Sequence, residues 1–385
     1  SDLLGLVQLY KENNIDSAVF NFESALGCYI NAGLPVNVSG MQVNLGNIFF
    51  MKKNHAAAEA YWEKARETNK TIGNLEQDAK LMLNYGNYYY DREDYEKAID
   101  NYKGANTILA SLGDKNGEGM VLINLGEAYT TVCHYQDAYD VLKNARRIFH
   151  ILKNYEEESE AVFMLAKLFF VVGRKAGLAE MISEYSMLTA SKLDDKSHNM
   201  NLEYLRLLEI SLTEGQPASV DMFEKLLAFY SESENRVLYT SVLFMLCDAL
   251  LKQKRYTDCL EKLKGRELLD LCEQYKFINA ERIYYYGKLA ENKQLTGIKS
   301  AIEYYEEASG IIEEQSITGL TVEILFSMLN IFNERGMMNK ASEIGVYTKA
   351  IIEFITEPIN DYNLKTDFYA HPGRKKILEY ISKLE

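Results

Sequence analysis

Asn44-Leu45-Gly46-Asn47, Asn84-Tyr85-Gly86-Asn87 and Asn124-Leu125-Gly126-Glu127 are one phrase written three times at intervals of 40 residues. Behind each phrase, at constant distance, stand Ala58, Ala98 and Ala138, then the large residues Trp62, Tyr102 and Leu142, then Ala65, Ala105 and Ala145. Small and large side chains recurring in register over a fixed period are the mark of a stacked repeat, in which each unit buries its apolar face against the next.

The register extends both ways. One period back lie Ala18, Phe22 and Ala25, without the Leu-Gly pair; one period forward the pattern thins to Leu165-Ala166, Phe169 and Ile182. A sixth unit, from Glu203 to Tyr230, survives as two stretches of apolar periodicity. The pattern returns at Tyr256-Thr257-Asp258-Cys259 with Leu263, at Ala301 with Tyr305 and Ala308, and at Ala341, which makes about nine units in all. The eighth is slightly long, and a loop insertion is expected around Gln294 to Lys299.

Within one unit, apolar residues follow helical spacing from Met41 to Met51 and from Ala56 to Thr68, with the polar turn Lys52-Lys53-Asn54-His55 between them; Asp91-Arg92-Glu93-Asp94 repeats that turn one period on. Each unit is thus a pair of antiparallel helices. A glycine inside a helix costs about 1 kcal/mol relative to alanine, so a glycine recurring at one helical position implies close packing. Trp62 or Tyr102 is expected to fill the space between the helices.

Leu or Tyr before Gly, an aromatic three residues after it, then Ala, aromatic, Ala resembles the tetratricopeptide repeat (TPR) family. That repeat usually spans about 34 residues; the 40-residue period here, with turn segments Thr71 to Leu75 and Ser111 to Gly119, resembles its long-unit branch of Leu-Gly-Asn-type adaptors and bacterial signalling and peptide-sensing proteins. The resemblance implies an all-α, right-handed α-solenoid of about nine helix pairs with a C-terminal capping helix. Residues 1–195 read as the regular array, 196–357 as a divergent TPR-like array, and 358–385 as a linker followed by a capping helix from Arg374 to Leu384, with Pro372 at its start and His371 in the turn before it. The start at Ser1, almost inside a helix, reads as a cut from a longer protein. The TPR terminal proline is missing, and with four prolines in the chain helix ends are expected to use glycine and polar caps.

Composition narrows the function. The net charge of -14 and the lack of a Lys/Arg stripe with interleaved aromatics disfavour nucleic acid and suit a basic or amphipathic partner. No apolar run approaches the roughly 20 residues of a membrane span, and no secretory leader opens the chain. Five cysteines, an odd number without close pairs, point to buried reduced thiols in a cytoplasmic protein. The five histidines are scattered, Gly117-Glu118-Gly119 lacks the lysine of a phosphate loop, and Glu156-Glu157-Glu158-Ser159-Glu160 reads as a helix start whose carboxylates face the positive end of the dipole. No catalytic constellation and no cofactor or metal site is expected.

What remains is the asparagine ladder. The TPR resemblance puts the first helix of each unit on the concave face, with Asn44, Asn84 and Asn124 pointing into the groove; one helical turn on, Asn47, Asn87 and Glu127 share that face. The first column stops at Met164. An Asn side chain donates and accepts, so a ladder of them can hold the C=O and N–H of an extended peptide, with Phe50, Tyr90 and Lys80 beside it for specificity. The same residues equally fit a packing role. Tyr284-Tyr285-Tyr286 on a first helix leaves at least one ring for the groove. Two readings follow: a non-catalytic scaffold or sensor that grips a protein or peptide in its concave groove, or a receptor of the bacterial quorum-sensing kind in which a short peptide switches an attached DNA-binding or phosphatase domain.

Overall fold

The structure, a computed structural model, describes residues 15–193, 195–213, 219–292, 299–312, 316–371, 374–375, 378–379 and 382. Its described helices are α1 (Ile15–Asn31), α2 (Pro35–Met51), α3 (His55–Ile72), α4 (Leu75–Asp91), α5 (Tyr95–Leu112), α6 (Lys115–Thr131), α7 (Tyr135–Leu152), α8 (Tyr155–Val172), α9 (Lys175–Lys192) and α10 (Lys196–Ser211). They continue with α11 (Val220–Glu232), α12 (Arg236–Lys252), α13 (Tyr256–Leu263), α14 (Arg266–Gln274), α15 (Lys276–Ala290), α16 (Ala301–Ile312), α17 (Gly319–Glu334), α18 (Met338–Thr356) and α19 (Tyr362–Ala370). The fold is an all-α repeat solenoid, and no strand occurs among the described residues. The expected first helix at Ser1, most of the insertion at Gln294 to Lys299, and most of the segment Arg374 to Leu384 lie outside the described residues.

The 40-residue period comes from long helices. α2 begins at Pro35, six residues before the apolar periodicity at Met41, and from α2 to α9 every helix has 17 or 18 residues. The turns between them are minimal. Left-handed residues end successive helices at Gly33, Lys53, Gly73, Glu93, Gly113, Cys133, Lys153 and Gly173, one every 20 residues. Asn54, Asn74, Asp94 and Asn154 accept from the backbone N–H three residues on, so the missing prolines are replaced by side-chain caps as expected. Gly117-Glu118-Gly119 proves to be the first turn of α6 rather than a connection: the turn is Gly113–Asp114, and the Asp114 carboxylate accepts from Gly117 N at 2.9 Å.

The chain forms two compact bodies, Ser1–Leu125 and Gly126–Glu385, whose boundary falls within α6. In the first body, Trp62 is 1% exposed among Val43, Ala58, Ala65, Leu81, Tyr85 and Tyr88. Gly46 lies beneath the Trp62 ring and Gly86 beneath Tyr102, so closely that a Cβ at either would overlap the ring. That is the steric reason for the recurrent glycine. A buried polar link also joins neighbouring repeats: Ser39 Oγ donates to Asn69 Oδ1 (2.7 Å), and Asn69 Nδ2 donates to Asp78 (3.1 Å).

In the second body Leu142 covers Gly126, and Tyr305 covers Gly287. The second helix of the seventh repeat is broken at Lys264–Gly265 into α13 and α14, and a cleft of about 840 Å3 opens beside the break, floored by Leu227, Tyr239, Leu243 and Leu260. The polar stretch after Pro358, which reads as linker, contains α19: Asp361 caps it by accepting from Leu364 N (2.8 Å), and Leu364 and Phe368, four residues apart, are both buried. Among the thiols Cys133, Cys247 and Cys259 are buried as expected, while Cys28 is exposed and Cys272 half-buried. All five are free.

Candidate functional site in the first helices of the repeats

Two columns define the candidate wall of the first body. On α4 they form a stripe, Lys80, Asn84 and Asn87, spaced by four and then three residues along one helical face. Asn44 and Asn47 occupy the same places on α2, and Asn124 heads the stripe on α6.

The residue after the glycine is committed to the fold. Trp62 Nε1, which can only donate, points at Asn47 Oδ1 at 3.0 Å. One repeat on, Tyr102 OH donates to Asn87 Oδ1 at 2.8 Å, and Asn124 Nδ2 donates to the same oxygen at 3.1 Å. Both lone pairs of the Asn87 carbonyl are thereby used, and its amide N–H groups remain. The residue two before the glycine is different. Asn44 and Asn84 are half-buried, and neither side chain has a partner among the described residues. Asn124 keeps its carbonyl oxygen. The wall thus presents amide donors from Asn47 and Asn87, an acceptor from Asn124, and both functions from Asn44 and Asn84.

The three candidates beside the ladder separate. Lys80 is exposed and joined to Glu76 at 2.6 Å one turn back. Phe50 packs into the Trp62 cluster, its ring 5.8 Å from Trp62 and 6.4 Å from Tyr88. Tyr90 lies edge-on to Tyr95 at 5.4 Å. Both rings belong to the packing at the turn end of their helices, because a large apolar ring one turn past the Asn gains more by covering that turn than by standing in water.

In the second body the column after the glycine continues with charge. Glu127 accepts from Lys167 Nζ at 3.1 Å, 40 residues away. Beside them burial pushes Glu160 up to about 7, a shift that the Glu127 charge increases and Lys167 opposes. Farther along, Asp248 and Lys288 occupy the same column. Burial and then the Asp248 charge push Glu281 up to about 8. Lys167, Asp248 and Lys288 carry no Asn-Leu-Gly phrase, yet their place in the 40-residue register marks them. Of the tyrosine triplet, Tyr284 and Tyr285 are buried, Tyr285 stacked on Phe244 at 5.1 Å; Tyr286 is half-exposed against Arg282 and Tyr304.

Among the described residues no group of three or more His, Cys, Asp or Glu is placed to hold a metal, and no helix is long and apolar enough to cross a membrane. Comparison with known proteins matches residues 37–110 to the tetratricopeptide repeat family model. Comparison with curated proteins gives no match. Similar solved structures include a Rap protein complexed with competence and sporulation factor (14% identity, 96% of this chain and 99% of that one, TM-score 0.42). A monomeric IFIT1 mutant with m7Gppp-AAAA is 13% identical over 100% of this chain and 90% of that one, with a TM-score of 0.42. The P58(IPK) TPR domain is 13% identical over 99% and 97%, with a TM-score of 0.29. Residues 37–110 thus match tetratricopeptide repeats, and the helix pairs of that segment continue in register on both sides as an all-α repeat solenoid.

Proposed function

We propose that this chain is a non-catalytic protein-interaction solenoid, the scaffold or sensor part of a signalling protein, and that its first body grips an extended peptide along Asn44, Lys80, Asn84 and Asn124, with Asn47 and Asn87 supplying amide donors. The observation that carries this reading is the split between the columns. The fold consumes the carbonyls of Asn47 and Asn87 and leaves the half-buried side chains of Asn44 and Asn84 with no partner among the described residues, so their amides are available to a ligand. Helices stacked about 10 Å apart meet an extended chain at about every third residue, at about 3.3 Å per residue. One Asn per repeat can therefore hold one peptide group per repeat, whatever the ligand's side chains.

The experiment is a peptide array probed with the full chain, followed by anisotropy titration of the peptides selected. Asn84→Ala is expected to weaken binding about five- to tenfold, the size of one or two lost hydrogen bonds, with unchanged helicity and melting. Equal affinity for the variant and the wild type sinks the proposal. Glu127, paired with Lys167, lies outside this peptide path and serves the second body.

A further inference from the structure

The C-terminal segment of the second body runs back to the turns of the fourth and fifth repeats, more than 200 residues earlier in the chain. Asn360 N and Asp361 N both donate to Gln136 Oε1 at 2.9 Å. Phe368, 1% exposed, seats its ring 5.9 Å from that of Tyr135. Arg374 lies 4.0 Å over the Phe368 ring and donates to Val171 O (2.6 Å) and Val172 O (3.1 Å), the open carbonyls at the negative end of α8. Arg174 on the edge answers with Asp367 at 3.7 Å and Asp361 at 4.0 Å.

The edge is shaped for this segment. The left-handed turn residue is Lys53 and Glu93 in the second and third repeats but Cys133 and Gly173 in the fourth and fifth. Cys133 is 1% exposed, and its sulfur accepts from Tyr135 OH at 3.2 Å. At Gly173 a Cβ would press into His371. Charged turn residues are thus replaced where the segment lies. Its hold is non-covalent, and α19 has only 9 residues, a length that is marginal without tertiary contacts.

We propose that the turn edge of repeats four and five is a second peptide-docking site, closed in cis by residues 359–371 together with Arg374, and that it takes from a partner protein a segment of the same chemistry. The matching groups are an aspartate before a short helix, an aromatic ring within it and an arginine after it. The cis segment is the template: Gln136 reads two backbone N–H groups, Tyr135 the ring, the α8 carbonyls the guanidinium, and Arg174 the carboxylates. This site is independent of the asparagine wall.

The test uses the full chain carrying Phe368→Ala and Arg374→Ala, which loosens the cis segment and leaves the edge intact, with a labelled synthetic peptide of residues 359–375 as probe. The peptide is expected to bind this variant at least tenfold more tightly than the wild type, where the cis segment competes, and the peptide carrying Phe368→Ala is expected to lose that binding. No binding to a double variant of wild-type helicity overturns the proposal. If the double variant does not fold, hydrogen exchange on the wild type decides: excess peptide must speed exchange across residues 359–371, and unchanged exchange overturns the site. A dimer of the wild type that exchanges segments between copies and excludes the peptide overturns the partner assignment in favour of a second copy of this chain.

Discussion

The column that follows the repeat glycine is neutral in the first body and carries the charges of Glu127, Lys167, Asp248 and Lys288 in the second, and the two are held in different ways. Asn47 and Asn87 are fixed within their own repeats by Trp62 and Tyr102. Glu127 is held by Lys167 from the next repeat. A neutral amide can spend its carbonyl on the core and still offer donors to a ligand at little desolvation cost. A carboxylate in the same place needs a cation, and the carboxyl groups beside the column, Glu160 and Glu281, are pushed toward the neutral form by burial first and by the neighbouring carboxylates Glu127 and Asp248 second. On the function proposed above, one architecture thereby carries a wall that would suit peptide backbone and another whose carboxylates respond to pH.

The largest effect is expected from Trp62→Ala. It empties the space above Gly46 and removes the donor to Asn47, for a loss of about 3–5 kcal/mol in chemical denaturation. Gly86→Ala comes next, at about 1–3 kcal/mol, since its methyl meets the Tyr102 ring. Adding Tyr102→Ala, which removes the ring that the methyl meets, is expected to make the double variant less destabilised than the sum of the two single changes; a fully additive loss would show that the glycine answers to something other than the ring.

In the second body the expected signature is pH dependence. In the folded chain burial and then the Asp248 charge push Glu281 up to about 8, from an ordinary carboxyl value of 4.5. Between those values the folded state holds a proton the unfolded state has released, so stability falls as pH rises through that window. Glu281→Gln removes that slope and is expected to raise stability by about 1–2 kcal/mol at pH 9, with no gain at pH 4.5. Melting curves across this range check it, and a pH-independent difference contradicts the assignment. Asn84→Ala is expected to change stability least, by under about 0.5 kcal/mol, because nothing in the fold leans on it.

Much of this is legible in the sequence. The period, the helix pairs, the covered glycines at 46 and 86 and the alanines at 58, 65, 98 and 105 follow from a pattern that packing enforces in every repeat. The ladder was legible as a set of residues but not as two columns. Whether an Asn is free depends on where a neighbouring donor points, and Trp62 Nε1 settles that only in three dimensions. Phe50 and Tyr90 stand beside the ladder in the sequence, and in the fold their half-buried rings pack at the turns against Trp62 and Tyr95. The charged continuation through Lys167, Asp248 and Lys288 was readable from register, yet hidden by the loss of the Leu-Gly phrase. The docking of Phe368 and Arg374 was not readable at all, since α19 sits in a polar stretch far from Gln136 and Arg174 in sequence.

The most direct test is an anisotropy titration of the Asn44→Ala, Asn84→Ala double variant with a peptide selected on the wild-type chain. Two unpartnered amides that grip backbone predict affinity weaker by about tenfold or more, at about 0.5–1.5 kcal/mol per hydrogen bond, with the melting temperature unchanged. Wild-type affinity at unchanged melting would contradict the account, leaving the asparagine ladder with no part in binding.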